Sequence, residues 1–183
     1  MRKVVGVTGT PATGKRSTAP ILAKLLATTS LSLNDLALQG RRKRPRTLQV
    51  DMAVLKGRLE GARPQPGIIY GHLLPYVLRR SDVTKVFVLR CDPSELKRRL
   101  VARGYSRTKV RENVEAELIG VLSSDSVAKF GADRVVELDS TSATPETLAR
   151  TMFRFVRRSP SKRWIDWTVA YASVEKLTSL LGA

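Results

Sequence analysis

A chain of 183 residues with 42% apolar side chains is long enough for one packed domain and too apolar for wholesale disorder. Lysine and arginine number 33 against 16 acids, and a formal charge of +17 calls for a polyanion: nucleotide phosphates, nucleic acid, an anionic surface or an acidic protein. One cysteine, Cys91, excludes an internal disulfide, and with a single histidine a zinc site has almost no ligands. Few aromatic residues argue against stacking platforms for single strands, and no run approaches membrane-spanning length, so a cytoplasmic chain without a membrane partner is expected.

In chain order, Val4 to Val7 is short, β-branched and stopped by Gly9, the pattern of a buried parallel strand. Ile21, Leu22, Leu25 and Leu26 recur at helical spacing and predict a helix over about Lys15 to Ala27. Residues from Leu31 read as irregular, with a charge run at Arg41, Arg42, Lys43, Arg44 and Arg46 that reads as a solvated arm, and a short helix over Val50 to Leu59. Strands are predicted at Gly67 to Tyr70 and Lys85 to Arg90. Pro93 suits the first turn of a helix carrying Leu96 and Leu100 inward. Val110, Val114, Leu118, Val121 and Leu122 predict one helix from Thr108 to about Lys129. A last strand spans Arg134 to Leu138, a helix begins near Pro145, and a basic joint leads to Trp164, Trp167, Tyr171 and a terminal helix ending near Leu181, with both tryptophans packing the tail on the core. Strands alternating with helices predict an α/β fold: a parallel sheet with helices on both faces.

Gly9-Thr10-Pro11-Ala12-Thr13-Gly14-Lys15 fits G-x-x-x-x-G-K between a predicted strand and a predicted helix. Glycines let successive N–H groups turn inward around phosphate oxygens, the helix N-terminus adds partial positive charge, and Lys15 reaches the outer phosphates. Read as structure alone, the segment is a glycine turn joining strand to helix. The motif continues with Ser or Thr for Mg²⁺, but here Arg16 follows, then Ser17 and Thr18. Mg²⁺ prefers phosphate oxygens and water, so Ser17 is the remaining hydroxyl candidate.

The segments Gly67 to Pro75 and Val86 to Arg90, and above all Arg99-Leu100-Val101-Ala102-Arg103-Gly104-Tyr105 with Lys109, Asn113, Glu115, Ala116 and Glu117 behind it, resemble the isoenzyme-six type of adenylate kinase. Ile165-Asp166-Trp167 is similar to the tails of archaeal members, and the match runs from about Arg2 to Val156. The resemblance implies a three-layer P-loop NTPase fold of the nucleoside monophosphate kinase kind: a core over 1–158, with a monophosphate arm over 31–56 and a lid over 102–112, then a basic joint and helix over 159–183. It implies adenylate kinase activity (ATP + AMP = 2 ADP) of broad monophosphate specificity with accompanying ATPase activity, Mg²⁺, and a role in small ribosomal subunit maturation with protein uS11 and 16S rRNA as partners. Carried over residue by residue, it puts ATP on Gly9, Ala12, Thr13, Gly14, Lys15, Arg16, Ser17 and Thr18, gives Ser17 to the metal, makes Arg103 the phosphate-contacting lid arginine, and gives His72 a part in ATP hydrolysis. Asn34, Asp35 and Asp51 fall near the ends of the arm. As structure alone, Arg103 is a helix-end arginine capped by glycine and His72 a polar loop residue.

Tyr70 departs from the pattern, because the family has an acid two places before this histidine, and a phenol is neutral near pH 7. Asp92 is the nearest acid that could stand in. Two further readings stay open: an ATP-responsive ribosome-assembly factor whose value is binding, and a kinase for another small metabolite. The group Arg154, Arg157, Arg158, Lys162 and Arg163 reads either as solvated surface or as an RNA contact.

Overall fold

The computed structural model describes residues 3–39, 50–62, 65–158 and 164–182; the Arg41 to Arg46 run, Lys162 and Arg163 lie outside them. Five strands form one sheet in the order β2-β3-β1-β4-β5, every neighbouring pair parallel. They are β1 (Val4–Gly9), β2 (Ser30–Ser32), β3 (Ile68–Tyr70), β4 (Val83–Arg90) and β5 (Val135–Asp139). β1 and, from Lys85 onward, β4 are buried on both faces, which is why Val4–Val7 and Val86–Leu89 read as continuous apolar runs rather than alternations. Helices cover both faces, which gives the expected three-layer α/β architecture.

On one face α1 (Lys15–Leu25) and α8 (Pro145–Arg157) pack over Val5, Val7, Phe87 and Leu89. On the other lie α2 (Leu33–Leu38), α3 (Met52–Gly61), α4 (Leu74–Val77) and α7 (Val121–Phe130) over Val4, Val86 and Val88. A third apolar cluster joins α5 (Pro93–Ala102) and α6 (Arg107–Leu118) to a carboxyl-terminal strap that holds α9 (Trp167–Ala170) and α10 (Val174–Leu181).

Local chemistry sets the helix starts. Asp51, Asp92, Ser106, Thr144 and Ser173 accept first-turn N–H bonds at the starts of α3, α5, α6, α8 and α10. Asp51, expected near the arm, is therefore an N-cap in this structure.

Three sequence expectations are corrected. The segment after Leu31 is not irregular, since it ends β2 and forms α2, with the Ser32 hydroxyl accepting the Asp35 N–H at 3.1 Å. The helix predicted over Thr108 to Lys129 is two, because Gly120 takes φ +69 and starts α7 afresh. Trp164 stands exposed ahead of α9, whereas Trp167 packs on the third cluster.

Candidate functional site

The carboxyl ends of β1, β3 and β4 converge on the loop between β1 and α1, the edge at which open parallel sheets hold ligands. Gly9 sits at φ +136, and a Cβ there would meet the Leu89 carbonyl oxygen at 2.3 Å, so only glycine lets the chain turn against β4. Ala12, at φ +72, and Gly14, at φ +96, complete a loop of left-handed residues. The N–H groups of Ser17 and Thr18 bond the Gly14 carbonyl at 3.1 and 3.0 Å, which fixes the helix start facing the loop.

Lys15 folds back over this loop. Its Nζ donates to the Gly9 carbonyl at 2.6 Å, the Thr10 carbonyl at 2.8 Å and the Thr13 hydroxyl at 3.4 Å. The Thr13 hydroxyl in turn donates to the Thr10 carbonyl at 2.8 Å. Burial pushes the Lys15 ammonium down to about 7; the Glu117 carboxylate opposes this and the Arg103 guanidinium adds to it. His72, in the turn after β3, is held down to about 4 by burial and then by the Lys15 charge. Arg103 and His72, far from Lys15 in sequence, thus each lie within electrostatic reach of it.

Arg103 is the C-cap of α5, where the N–H groups of Gly104 and Tyr105 close the helix on the carbonyls of Val101 and Leu100. From this glycine-capped helix end the charge of Arg103 is felt at Lys15. Arg16 and Ser17 are exposed on the first turn of α1, and Arg16 lies 3.9 Å from Asp35 of α2. Thr18 is buried, and its hydroxyl has no hydrogen-bond partner among the described residues.

Asp92, weighed as the acid that could stand in at the metal, is engaged elsewhere, and so is the buried acid Glu117. Asp92 caps α5 and accepts the Tyr171 hydroxyl at 2.8 Å, and Glu117 is 2% exposed and fully bonded. Tyr70 leans into the apolar layer beneath α1. No group of three acidic, histidine or cysteine side chains able to hold a metal occurs among the described residues. A Mg²⁺ that arrived on triphosphate oxygens and kept its waters would need no such group from the protein.

Sequence reasoning assigned no role to Arg90, Glu117 and Glu137, which are buried together beside the loop. The readable signal was charge of opposite sign in otherwise apolar strands, Arg90 in β4 and Glu137 in β5, a pattern that burial permits only in pairs; Glu117, on α6, carried no such signal.

The AAA domain family matches residues 5–120. Over 177 residues the chain is 33% identical to a protein of Thermococcus gammatolerans described as "Putative adenylate kinase", covering 93% of this chain and 96% of that one. A Natronomonas pharaonis protein of the same description is 34% identical over 169 residues, covering 90% and 97%. The chain belongs to this adenylate-kinase-like P-loop family. Solved structures share the fold at low identity. A shikimate kinase from Bacteroides thetaiotaomicron superimposes with a TM-score of 0.57 at 14% identity, over 85% of this chain and 98% of that one. A gluconokinase from Sinorhizobium meliloti 1021 gives 0.59 at 18%, over 86% and 94%. Among the described residues no helix is long and apolar enough to cross a membrane.

Proposed function

We propose that the protein transfers the terminal phosphoryl group of ATP to AMP, with slower transfer to water. The observation that carries this reading is the β1–α1 loop of left-handed residues with Lys15 folded over it, its ammonium pushed down further by the charge of Arg103. Phosphoryl transfer needs positive charge around the moving group and exclusion of water, and little covalent chemistry from the protein. The N–H groups of residues 12–17 cradle the triphosphate. Lys15, released from the carbonyls of Gly9 and Thr10, bonds the outer phosphates, and the phosphate charge restores the proton that burial makes labile. Arg103 closes from the lid, residues 102–112, onto the same oxygens. The acceptor is already an AMP oxygen, so no strong base is required, and AMP is held from the arm, residues 31–56, where Asp35 faces Arg16. His72, neutral at pH 7, can accept a hydrogen bond from water, the role hydrolysis asks of it. Ser17 is the hydroxyl that would face a Mg²⁺ carried by the nucleotide, which when bound would supply charge neutralisation at the phosphates.

The relatives' printed name supports the AMP assignment. The test is ADP formation from ATP with and without AMP. The reading expects AMP to accelerate turnover well beyond hydrolysis alone, and equal rates would overturn it.

Tyr70 favours a second reading, in which binding matters more than turnover. A phenol packed against the α1 layer is a poorer acceptor for metal-bound water than a carboxylate. In that case ATP sets the conformation of a ribosome-assembly factor, and Arg154, Arg157 and Arg158, exposed at the end of α8, would neutralise 16S rRNA phosphates near uS11. ATP binding without detectable ADP formation would select it.

A further inference from the structure

A buried ion cluster joins the phosphate loop to the carboxyl-terminal strap. Arg90, the last residue of β4, is 3% exposed. Its Nε donates to Glu117 Oε1 at 2.8 Å, and its Nη2 to the Glu117 carbonyl at 2.7 Å. Its Nη1 donates to Glu137 Oε1 at 3.0 Å and to the Ile165 carbonyl at 2.9 Å. The Ile165 N–H returns to Glu137 Oε2 at 2.5 Å, so both backbone groups of this strap residue are clasped. On the loop side, Glu117 Oε2 accepts the Thr10 hydroxyl at 2.5 Å and Oε1 accepts the Cys91 N–H at 3.0 Å. The Thr10 carbonyl is one of the two that hold Lys15.

Stability alone does not call for this arrangement. One guanidinium shared by two buried carboxylates is costly to desolvate, and apolar side chains of similar volume generally do as well. What the cluster supplies is geometry, because every carboxylate oxygen is spoken for and none can turn without breaking a bond. The strap also reaches the loop by an apolar route. Trp167, Tyr171, Leu177 and Leu181 pack on the cluster that contains Ala12 of the loop together with Leu96 and Leu100 of α5. Lys97 of α5 ties down the strap's far end, donating to the Leu180 carbonyl at 2.7 Å.

We propose that the strap, residues 164–182, is a working part of the nucleotide site: Ile165, docked on Arg90 and Glu137, fixes Glu117, and Glu117 fixes Thr10 and the shape of the phosphate loop. Glu117, Arg90 and Glu137 act through Thr10 and are positioning residues. The inference rests on the reading of this loop as the ATP phosphate site.

The test uses the full chain, with ATP affinity measured by calorimetry and folding followed by thermal melting. Ile165→Pro removes the N–H donated to Glu137, Thr10→Val removes the hydroxyl donated to Glu117, and Glu137→Gln serves if the proline variant fails to fold. Each change is expected to weaken ATP binding about ten-fold, the scale on which a hydrogen-bonded outer partner acts. The pair Thr10→Val with Ile165→Pro is expected to bind no more weakly than Thr10→Val alone, because the link is already cut. Lys15 is faced by Glu117, Arg103 and His72, so Glu117→Gln is expected to move the alkaline fall of ATP affinity to lower pH, which a purely structural role would not do. A lowered melting temperature with ATP affinity within about two-fold of the parent, or losses that multiply in the pair, would overturn the inference. Absence of ATP binding by the parent would overturn the site reading itself, whereas normal parent binding with unaffected variants overturns this inference alone.

Discussion

Lys15→Met separates the cost of the loop lysine to the fold from its use to the ligand. Burial lowers the Lys15 ammonium from its ordinary 10.5 to about 7. At about 1.4 kcal/mol per pH unit, holding that charge in the ligand-free loop costs on the order of 4–5 kcal/mol at pH 7 or below. Three donated hydrogen bonds, to Gly9, Thr10 and Thr13, return about 1 kcal/mol each. Methionine removes both contributions and keeps the stem packed, so the ligand-free variant is expected to be about 1–2 kcal/mol more stable at pH 6–7. For a domain of this size that is a rise of roughly 2–8 °C in melting temperature. Between pH 7 and 10.5 the unfolded chain keeps this proton and the folded one does not, so the parent gains stability as pH rises and the difference between the two proteins closes. With ATP the order reverses. Losing a charge-assisted contact of about 1.5–3 kcal/mol to each bonded phosphate removes the ATP-induced stabilisation seen in the parent. Thermal melting with and without ATP at pH 6.5 and 9 measures all of this. A variant that melts several degrees below the parent without ligand, or that ATP stabilises equally, would refute the reasoning.

Three further outcomes are expected. Ala27 occupies the left-handed position after α1 at φ +49, with its N–H on the Lys24 carbonyl and that of Thr28 on the Ala23 carbonyl, so Ala27→Gly should stabilise the fold by about 1 kcal/mol and leave ATP affinity unchanged; a loss of stability contradicts this. His72 is held at about 4 against an ordinary 6.5, so over that window the unfolded chain binds the extra proton and stability falls on acidification by up to about 1.4 kcal/mol per pH unit. Denaturant melts of His72→Gln should show a shallower acid slope than the parent, and parallel slopes would count against a buried neutral His72. Tyr70→Asp puts a carboxylate beside α1 and should raise Mg²⁺-dependent ATP turnover about ten-fold while lowering the melting temperature; unchanged turnover would show that Tyr70 does not limit the chemistry.

Much of the fold was legible because its signals are local. Val4 to Val7 before Gly9, Pro93 behind Asp92 and Pro145 behind Thr144 each carry strand or cap chemistry within a few residues. β2 was not legible, since Ser30–Ser32 is a half-buried edge strand whose pairing with β3 is a tertiary fact. The break at Gly120 was hidden because the apolar spacing from Leu118 to Val121 continues the helical period, and only the backbone angle interrupts it. At the site, the loop from Gly9 to Lys15 could be read from spacing and context. The electrostatic influence of Arg103 on Lys15 and of Lys15 on His72 could not, because it depends on how α5 and the β3–α4 turn return to the sheet edge. The Arg90 cluster was equally hidden, since its members are 20 to 75 residues apart and meet only through the sheet and the strap.

The most direct measurement is a crystal structure of the chain with Mg²⁺ and a bisubstrate nucleotide that joins adenosine to AMP through its phosphates. The account expects those phosphates against the backbone N–H groups of residues 12–17, with Lys15 Nζ transferred to them from the Gly9 and Thr10 carbonyls and Arg103 drawn onto the same oxygens. Phosphates bound elsewhere, or Lys15 still seated on its two carbonyls with the nucleotide in place, would contradict it.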